Sequence, residues 1–352
     1  MADTHTIVGW DIGGVNTKAV ALTWSGSGPP TAHTAGRYFE VWRDLPRLPD
    51  VLRAVADELG SRVADAPLAL TLTAELSDIF RTKSEGVLCV LDAVRAAFPH
   101  APAHALRLDE RFVPLHEARG TPGAFAAANW LAGALYIAAA HGACLWIDAG
   151  STTTDIIPIV AGRVAVEGRT DPARLTSGEL VYTGVQRTPL GAVASGVPLR
   201  GRLCRTAPEL FATMADVHLA LGHITADAYT TPTADGRPTT VEAALERISR
   251  AVCADGETIS AGEARALARA FSEAQLSALT GAALQVLSRF ADGPLLPVLA
   301  SGSGAFLGRA VTARLGLPLL EGGDALPTHV AEVLPCYAAA WLLERHLRVA
   351  VS

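Results

Sequence analysis

The sequence predicts an α/β protein of two lobes built on one repeated plan. Three observations carry this. Apolar strand-like runs alternate with helix-spaced runs along the chain, a pattern typical of α/β proteins. A D-x-G-x-x-x-T turn occurs twice, at Asp11 and Asp148, 137 residues apart and in matching strand contexts. Of the 352 residues, 50% are hydrophobic and 18% charged, which excludes a disordered chain and provides for large cores. At a soft ~150 residues per domain, this length points to two domains. The formal net charge of −6, with no basic stripe, argues against a nucleic-acid partner. The five cysteines are scattered and odd in number, with no C-x-x-C, as expected of thiols used as small apolar residues in a reducing compartment.

In chain order, THTIVGW and KAVALTW read as strands flanking a tight Gly-Gly turn, and GRYFEVWR as a third strand. Residues 48–62 have helical spacing, PLALTLT is a strand, 86–98 a helix and HALRL a short strand. Residues 123–140 are uncharged and alanine-rich, carry Asn129 and lack basic flanks, so a buried helix is expected there rather than a membrane span. The pattern then restarts: ACLWI is a strand, DAGSTTT a turn, and DIIPIV and RVAVEG strands. An irregular stretch rich in Gly, Thr and Pro follows Thr170. Helices are expected over 207–221 and 241–252 with an exposed loop 230–240 between them, and over 261–290 with one break. LLPVLA is a strand, SGSG a turn and 306–314 a helix, and an apolar helix over 328–348 closes the chain. Residues 1–6 are polar with no basic start, so no secretory signal is expected.

The chemistry of the repeated turn is readable from its residue types. Gly13 and Gly14 in the first copy, and Gly150 in the second, allow close approach of a ligand to the backbone. Successive N–H groups there form an anion nest, to which Asn16, Thr17, Ser151, Thr152 and Thr153 add polar side chains. Asp11 and Asp148 would repel a bare phosphate, which calls for a cation between them; Mg²⁺, held by one or two carboxylates and phosphate oxygens, suits them. Lys18 directly follows the first turn. Only Lys18 and Lys83 stand against 27 arginines, which marks both as places for a compact point charge. Glu75, Asp78 and Lys83 follow a strand end in TAELSDIFRTK, where either a cleft or an ordinary helix cap is consistent. The stretch 176–190 holds Glu179, Tyr182 and Arg187, and Arg187 suits a carboxylate clamp or a structural loop. The Gly302-Ser303-Gly304 turn is neither a dinucleotide fingerprint nor a Walker A sequence. His100, His104, His218 and His223 form no metal motif.

WDIGGVNTKAV, TAELSDIFRTKSEGV, WIDAGSTTTDIIPI, GELVYTGVQRTPL and ASGSGAFLG together resemble the hydantoinase/oxoprolinase-related family, nearly end to end. The paired turns and late SGSG are generic to the actin, sugar kinase and Hsp70 fold. The T-A-E-L-x-D and Y-T-G-V-x-R-T-P segments are the specific ones, and they resemble a branch linked to tetrahydromethanopterin-dependent one-carbon metabolism. The resemblance implies a duplicated ribonuclease H-like fold with a central cleft. Its expected lobes are residues 1–141 with 328–352, and 142–327 with a helical insertion around 205–290. It also implies a transferase of methanofuran or methylofuran assembly. In that reaction the phenol of a γ-glutamyltyramine or tyrosine derivative displaces diphosphate from an aminomethyl-furanmethanol diphosphate.

On this reading Asp11 and Asp148 hold Mg²⁺ across the cleft, and the two turns cradle the diphosphate. Glu75, Asp78 or Asp155 serves as base, and Glu179, Tyr182, Arg187, Lys83 and the SGSG turn line the substrates. ATP, which the fold's other members hold on these turns, is the less favoured ligand, and an ATP-using kinase or hydantoinase-like enzyme is the alternative. The expected setting is cytoplasmic, with small-molecule partners, no nucleic acid and no membrane, and with self-association left open.

Overall fold

The computed structural model describes residues 4–320 other than 27, 61, 62 and 64, together with residue 330 and residues 333–351. The chain divides into two compact units. Met1–Gly142, Ile159–Val164 and Leu326–Ser352 make the first, and Ala143–Pro158 with Ala165–Ala325 the second.

In the first unit, β1 (Thr4–Ile12), β2 (Asn16–Ser25) and β3 (Thr31–Tyr38) form an antiparallel meander. β4 (Leu68–Leu72) pairs parallel with the other edge of β1, and β5 (Ala103–Leu106) pairs parallel with β4. β6 (Phe112–Pro114) closes the sheet in the order β3-β2-β1-β4-β5-β6. Period-two alternation along β1 decides its two faces. Val8, Trp10 and Ile12 enter one core with Leu48, Leu52, Val87 and Val90 from the helices Leu48–Leu59 and Lys83–Ala97. The C-terminal helix Leu334–Val351 packs against β1, β2 and β4, and also against the helix Asn129–Ala140. It comes so close to β1 that a Cβ on Gly9 would lie 1.8 Å from the Cys336 carbonyl oxygen.

The second unit repeats the plan. β7 (Cys144–Ala149) and β8 (Thr154–Val160) flank the second turn, and β13 (Val298–Ser301) pairs parallel with β7. β8 pairs antiparallel with β10 (Leu180–Val181), and its last two residues, which belong to the first unit, pair with β9 (Arg163–Val164) of that unit. β11 (Gly196–Leu199) and β12 (Arg202–Arg205) form a separate hairpin. Three helices, Met214–Ala220, Val241–Arg250 and Ala261–Leu287, enclose their own core around Met214, Val217, Ile248, Leu267 and Phe271. In each unit an aspartate turn joins the first two strands and a parallel strand follows on the far side. This is the duplicated α/β plan of the actin, sugar kinase and Hsp70 fold.

Several elements differ from the sequence reading. The third strand begins at Thr31, before the expected GRYFEVWR, because a mostly exposed, largely polar edge strand carries little apolar signal. The helix expected over 123–140 starts at Asn129, after Ala127 takes a left-handed φ of 52°. The one expected over 207–221 is limited to Met214–Ala220, and the one over 261–290 runs unbroken to Leu287. The loop 230–240 is tied down, since Asp235 meets the buried Arg247 at 3.1 Å. The helix expected over 48–62 ends at Leu59, and positions 61 and 62 lie outside the described residues, as do most positions before Leu334 in the last expected helix. Among the described residues no helix is long and apolar enough to cross a membrane.

Gly9→Ala is expected to destabilise the chain by about 3 kcal/mol or more, because the added methyl meets backbone rather than a movable side chain. Gly142→Ala, with nothing within 4 Å of its Cβ, is the control and should stay near wild type. Denaturant unfolding of the two variants checks the difference.

Candidate functional site

The first turn is closed by a hydrogen bond from the Gly13 N–H to the Asn16 carbonyl at 3.0 Å. The second has the same bond, from the Gly150 N–H to the Thr153 carbonyl at 2.9 Å. Each encloses a two-residue loop, Gly14-Val15 or Ser151-Thr152. Among the described residues, the four loop N–H groups donate to no protein acceptor. Two nests of uncommitted backbone donors therefore recur at equivalent places.

Each turn aspartate has a hydroxyl beside it on the adjacent parallel strand. Asp11 is in register with Thr71 of β4, whose Oγ1 donates to Asp11 Oδ1 at 3.2 Å. Asp148 is in register with Ser301 of β13, whose Oγ donates to Asp148 Oδ1 at 2.6 Å. The Trp146 indole N–H donates to Ser301 Oγ at 2.7 Å, so the serine rotor is set and its proton is directed at the aspartate. Thr71 gave no sequence signal, since it reads as a strand interior.

The surroundings of the two turns differ. Beside the first, the TAELSD segment leaves β4 and runs past the glycines. A Cβ on Gly13 would lie 3.2 Å from Thr73 Oγ1, and one on Gly14 would lie 3.0 Å from Ser77 Oγ. Lys18 stands directly across from Asp11 in the β1–β2 register, on the same face. The second turn is wrapped by two other segments. Val185 N–H donates to the Gly150 carbonyl at 2.9 Å, and the Gln186 and Arg187 N–H groups to the Ser151 carbonyl at 3.0 and 2.9 Å. Gly304 N–H donates to the Ala149 carbonyl at 2.8 Å. The YTGVQRTP and SGSG segments, read separately in sequence, thus meet at one turn.

The other candidates are distributed as follows. Glu75 is 2% exposed, and its Oε1 accepts the Ala127 N–H at 2.7 Å, so it faces the interior instead of standing open as a base. Asp78 and Lys83 are exposed before and at the start of the helix Lys83–Ala97, where Thr82 caps by accepting the Glu85 N–H. Asp155 pairs with the buried Arg174 at 2.8 Å. Glu179 is fully buried and accepts from the Glu167 and Gly168 N–H groups, Ser177 Oγ and Arg289, which makes it a structural carboxylate instead of a substrate ligand. Thr17, expected beside a phosphate, is fully buried in β2. Thr154, its counterpart, donates to the Thr183 carbonyl. Asn16, Tyr182, Arg187 and Ser303 are exposed.

Burial raises the Asp11 carboxyl from 3.8 to about 6, against the opposing pull of Lys18 and the Thr71 hydrogen bond. Among the described residues no three His, Cys, Asp or Glu side chains converge as metal ligands. Each turn offers one carboxylate among hydroxyl and backbone groups. This hard oxygen set fits Mg²⁺, which takes one or two carboxylates and draws its remaining ligands from water and phosphate.

The hydantoinase/oxoprolinase family model matches residues 68–328. The chain is 37% identical over 254 residues, covering 72% of its own length and 73% of the relative's, to a Methanocaldococcus jannaschii protein. That relative is named (4-{4-[2-(gamma-L-glutamylamino)ethyl]phenoxymethyl}furan-2-yl)methanamine synthase. A synthase of the same name from Methanococcus vannielii is 42% identical over 120 residues, covering 34% of this chain and 54% of that protein. Among solved structures, the nucleotide-free acetone carboxylase superposes with a TM-score of 0.54 at 11% identity, covering 97% of this chain and 70% of that one. At that identity the likeness is one of fold.

The Asp11 shift makes a stability prediction with a definite sign. Below pH 3.8 the group is protonated folded or unfolded; above about 6 it is ionised in both states, and the folded chain bears the full desolvation cost. Asp11→Asn should therefore stabilise the protein by about 1–3 kcal/mol at pH 7.5 and by almost nothing at pH 3.5. Denaturant midpoints at the two pH values check it.

Proposed function

Because the chain belongs to the hydantoinase/oxoprolinase family, and its synthase relatives make a phenoxymethyl-furan, we propose that it is a transferase of methanofuran or methylofuran assembly. The phenol oxygen of a γ-glutamyltyramine or tyrosine derivative attacks the furfuryl carbon of an aminomethyl-furanmethanol diphosphate. The carbon–oxygen bond to diphosphate breaks, the aryl ether forms, and diphosphate and a proton leave. The observation that carries this reading is the pair of equivalent turns, each presenting two uncommitted N–H groups beside a carboxylate and its hydroxyl.

The roles follow from what each group can do. In each unit the two uncommitted N–H groups of the turn suit phosphate oxygens, Gly14 and Val15 in the first and Ser151 and Thr152 in the second, and Lys18 adds a compact positive charge beside the first turn. As the carbon–oxygen bond lengthens, charge grows on the departing oxygen, and donors already in place stabilise it without reorganising. The aspartate of each turn, Asp11 or Asp148, would hold Mg²⁺, which would supply further charge neutralisation to the leaving group. Thr71 and Ser301 keep these two carboxylates oriented. A phenol has a pKa near ~10, so its proton needs an acceptor as the bond forms. Asp155 is held by Arg174, and Glu75 is buried with the Ala127 N–H on one oxygen, which favours the exposed Asp78 or solvent.

A second reading, an ATP-using enzyme of the same fold, is favoured by one feature. The Gly302–Gly304 turn lies directly on Ala149 and Asp148, beside the anion nest.

Asp11→Asn and Asp148→Asn should each lower diphosphate release by at least about 100-fold. EDTA should do the same to the wild type, with Mg²⁺ restoring it. Lys18→Ala should reduce turnover far more than stability, and Lys18→Arg should rescue only in part, because a planar fork does not replace a point charge. A coupled diphosphate assay measures all five. Thermal shift with Mg-diphosphate against Mg-ATP separates the two readings, and a shift with ATP alone would favour the second.

A further inference from the structure

The surface of the second unit carries an open hollow of about 400 Å³ beside the helix Ala261–Leu287, lined among others by the half-buried Arg265 and Ser272 and the exposed His223, Arg269 and Glu273. This volume is in the range of small-molecule sites. Arg265, Arg269 and Ser272 follow one another at helical spacing and so share one face. Arg269 makes no ion pair or hydrogen bond with any described residue, and Arg265 reaches only the Ala220 carbonyl, at 3.5 Å. Glu273 is paired with Arg314.

The tautomer of His223 follows from a chain of contacts. Gln275 Nε2 donates to the Gly184 carbonyl and to Thr183 Oγ1, both at 2.9 Å. A carbonyl only accepts, so the amide orientation is determined, and Gln275 Oε1 accepts from His218 Nε2 at 3.0 Å. His218 is buried and neutral, its pKa pushed down to about 3, so it carries one ring proton, at Nε2. Its Nδ1 therefore accepts from His223 Nδ1 at 3.1 Å, and the His223 ring keeps a bare Nε2. Phe306, in the first turn of the helix after SGSG, packs on both rings, with centroids 4.9 and 5.1 Å away, and holds them in place.

The hollow thus combines two arginine forks and a serine hydroxyl with a neutral acceptor and a carboxylate. The first set matches a carboxylate and the second an ammonium group. We propose that it seats an α-amino-acid head group, with Arg265, Arg269 and Ser272 taking the carboxylate and His223 Nε2 and Glu273 the ammonium. The proposal rests on the transferase reading in one respect: the γ-L-glutamylamino group in the relative's product carries such a head. The relay through Gln275 ends on Gly184, which lies against the second turn.

Titration calorimetry of the full chain with γ-glutamyltyramine, its N-acetyl derivative, and tyramine tests the assignment without any turnover. γ-Glutamyltyramine should bind at least about tenfold more tightly than the other two. Arg269→Ala and Arg265→Ala should each remove that preference while leaving tyramine affinity within about twofold. Equal binding of the three compounds, no binding of γ-glutamyltyramine, or a preference that survives both substitutions overturns the proposal. So does ADP affinity that falls in Arg269→Ala, which would give the hollow to a nucleotide. The transferase reading fails on a different result, the absence of diphosphate release.

Discussion

The arrangement around the second aspartate turn depends on the absence of side-chain volume at three glycines. A Cβ on Gly302 would lie 2.4 Å from the Ala149 carbonyl oxygen and 2.8 Å from Asp148 Oδ1. One on Gly184 would lie 2.6 Å from both the Gly150 carbonyl oxygen and the Thr152 nitrogen, and one on Gly304 2.8 Å from the Ala149 Cβ. Only bare backbone fits, so segments distant in sequence close onto one turn. Their N–H groups use up the carbonyls of Ala149, Gly150 and Ser151, at a net gain of about 1 kcal/mol per bond. The loop N–H groups remain for a ligand. Gly150 itself is under less constraint, with its nearest neighbour 3.5 Å from a Cβ position.

The two turns share a covalent pattern and a closing hydrogen bond but differ in electrostatics. At the second, Asp148 is oriented by Ser301, which is itself set by the Trp146 indole. At the first, Asp11 sits opposite Lys18, and burial moves its carboxyl to about 6 despite that lysine. A cation or a proton relieves such a site. Its ionised form is carried at a cost in stability.

The helical part of the second unit is held by buried polar contacts as well as by its apolar core. Arg247 is fully buried against Asp216 at 2.8 Å, and the Tyr229 hydroxyl donates to the same aspartate at 3.1 Å. Removing one partner would strand a buried charge, so this cluster keeps the loop 230–240 and its helices in one arrangement.

The duplicated plan, the two turns and the strands β1, β2, β4, β5, β7, β8 and β13 were legible in the sequence, because local patterns encode them. A carboxylate at a strand end, a glycine after it and an apolar strand on each side need no distant information. The place of Lys18 directly after the first turn was legible too, and its register opposite Asp11 follows from the hairpin that forms there. Glu75 and Asp155, read as candidates for the base, and Glu179, expected beside the substrates, meet a backbone N–H, the buried Arg174 and Arg289, which composition does not foretell. Thr71, Trp146, Gln275 and the His218–His223 pair gave no local signal. Their roles come from partners dozens of residues away, or more than a hundred. Only the tertiary structure decided these, because burial and hydrogen-bond pairing are properties of the packed chain, whereas turn geometry and strand alternation are properties of short stretches of it.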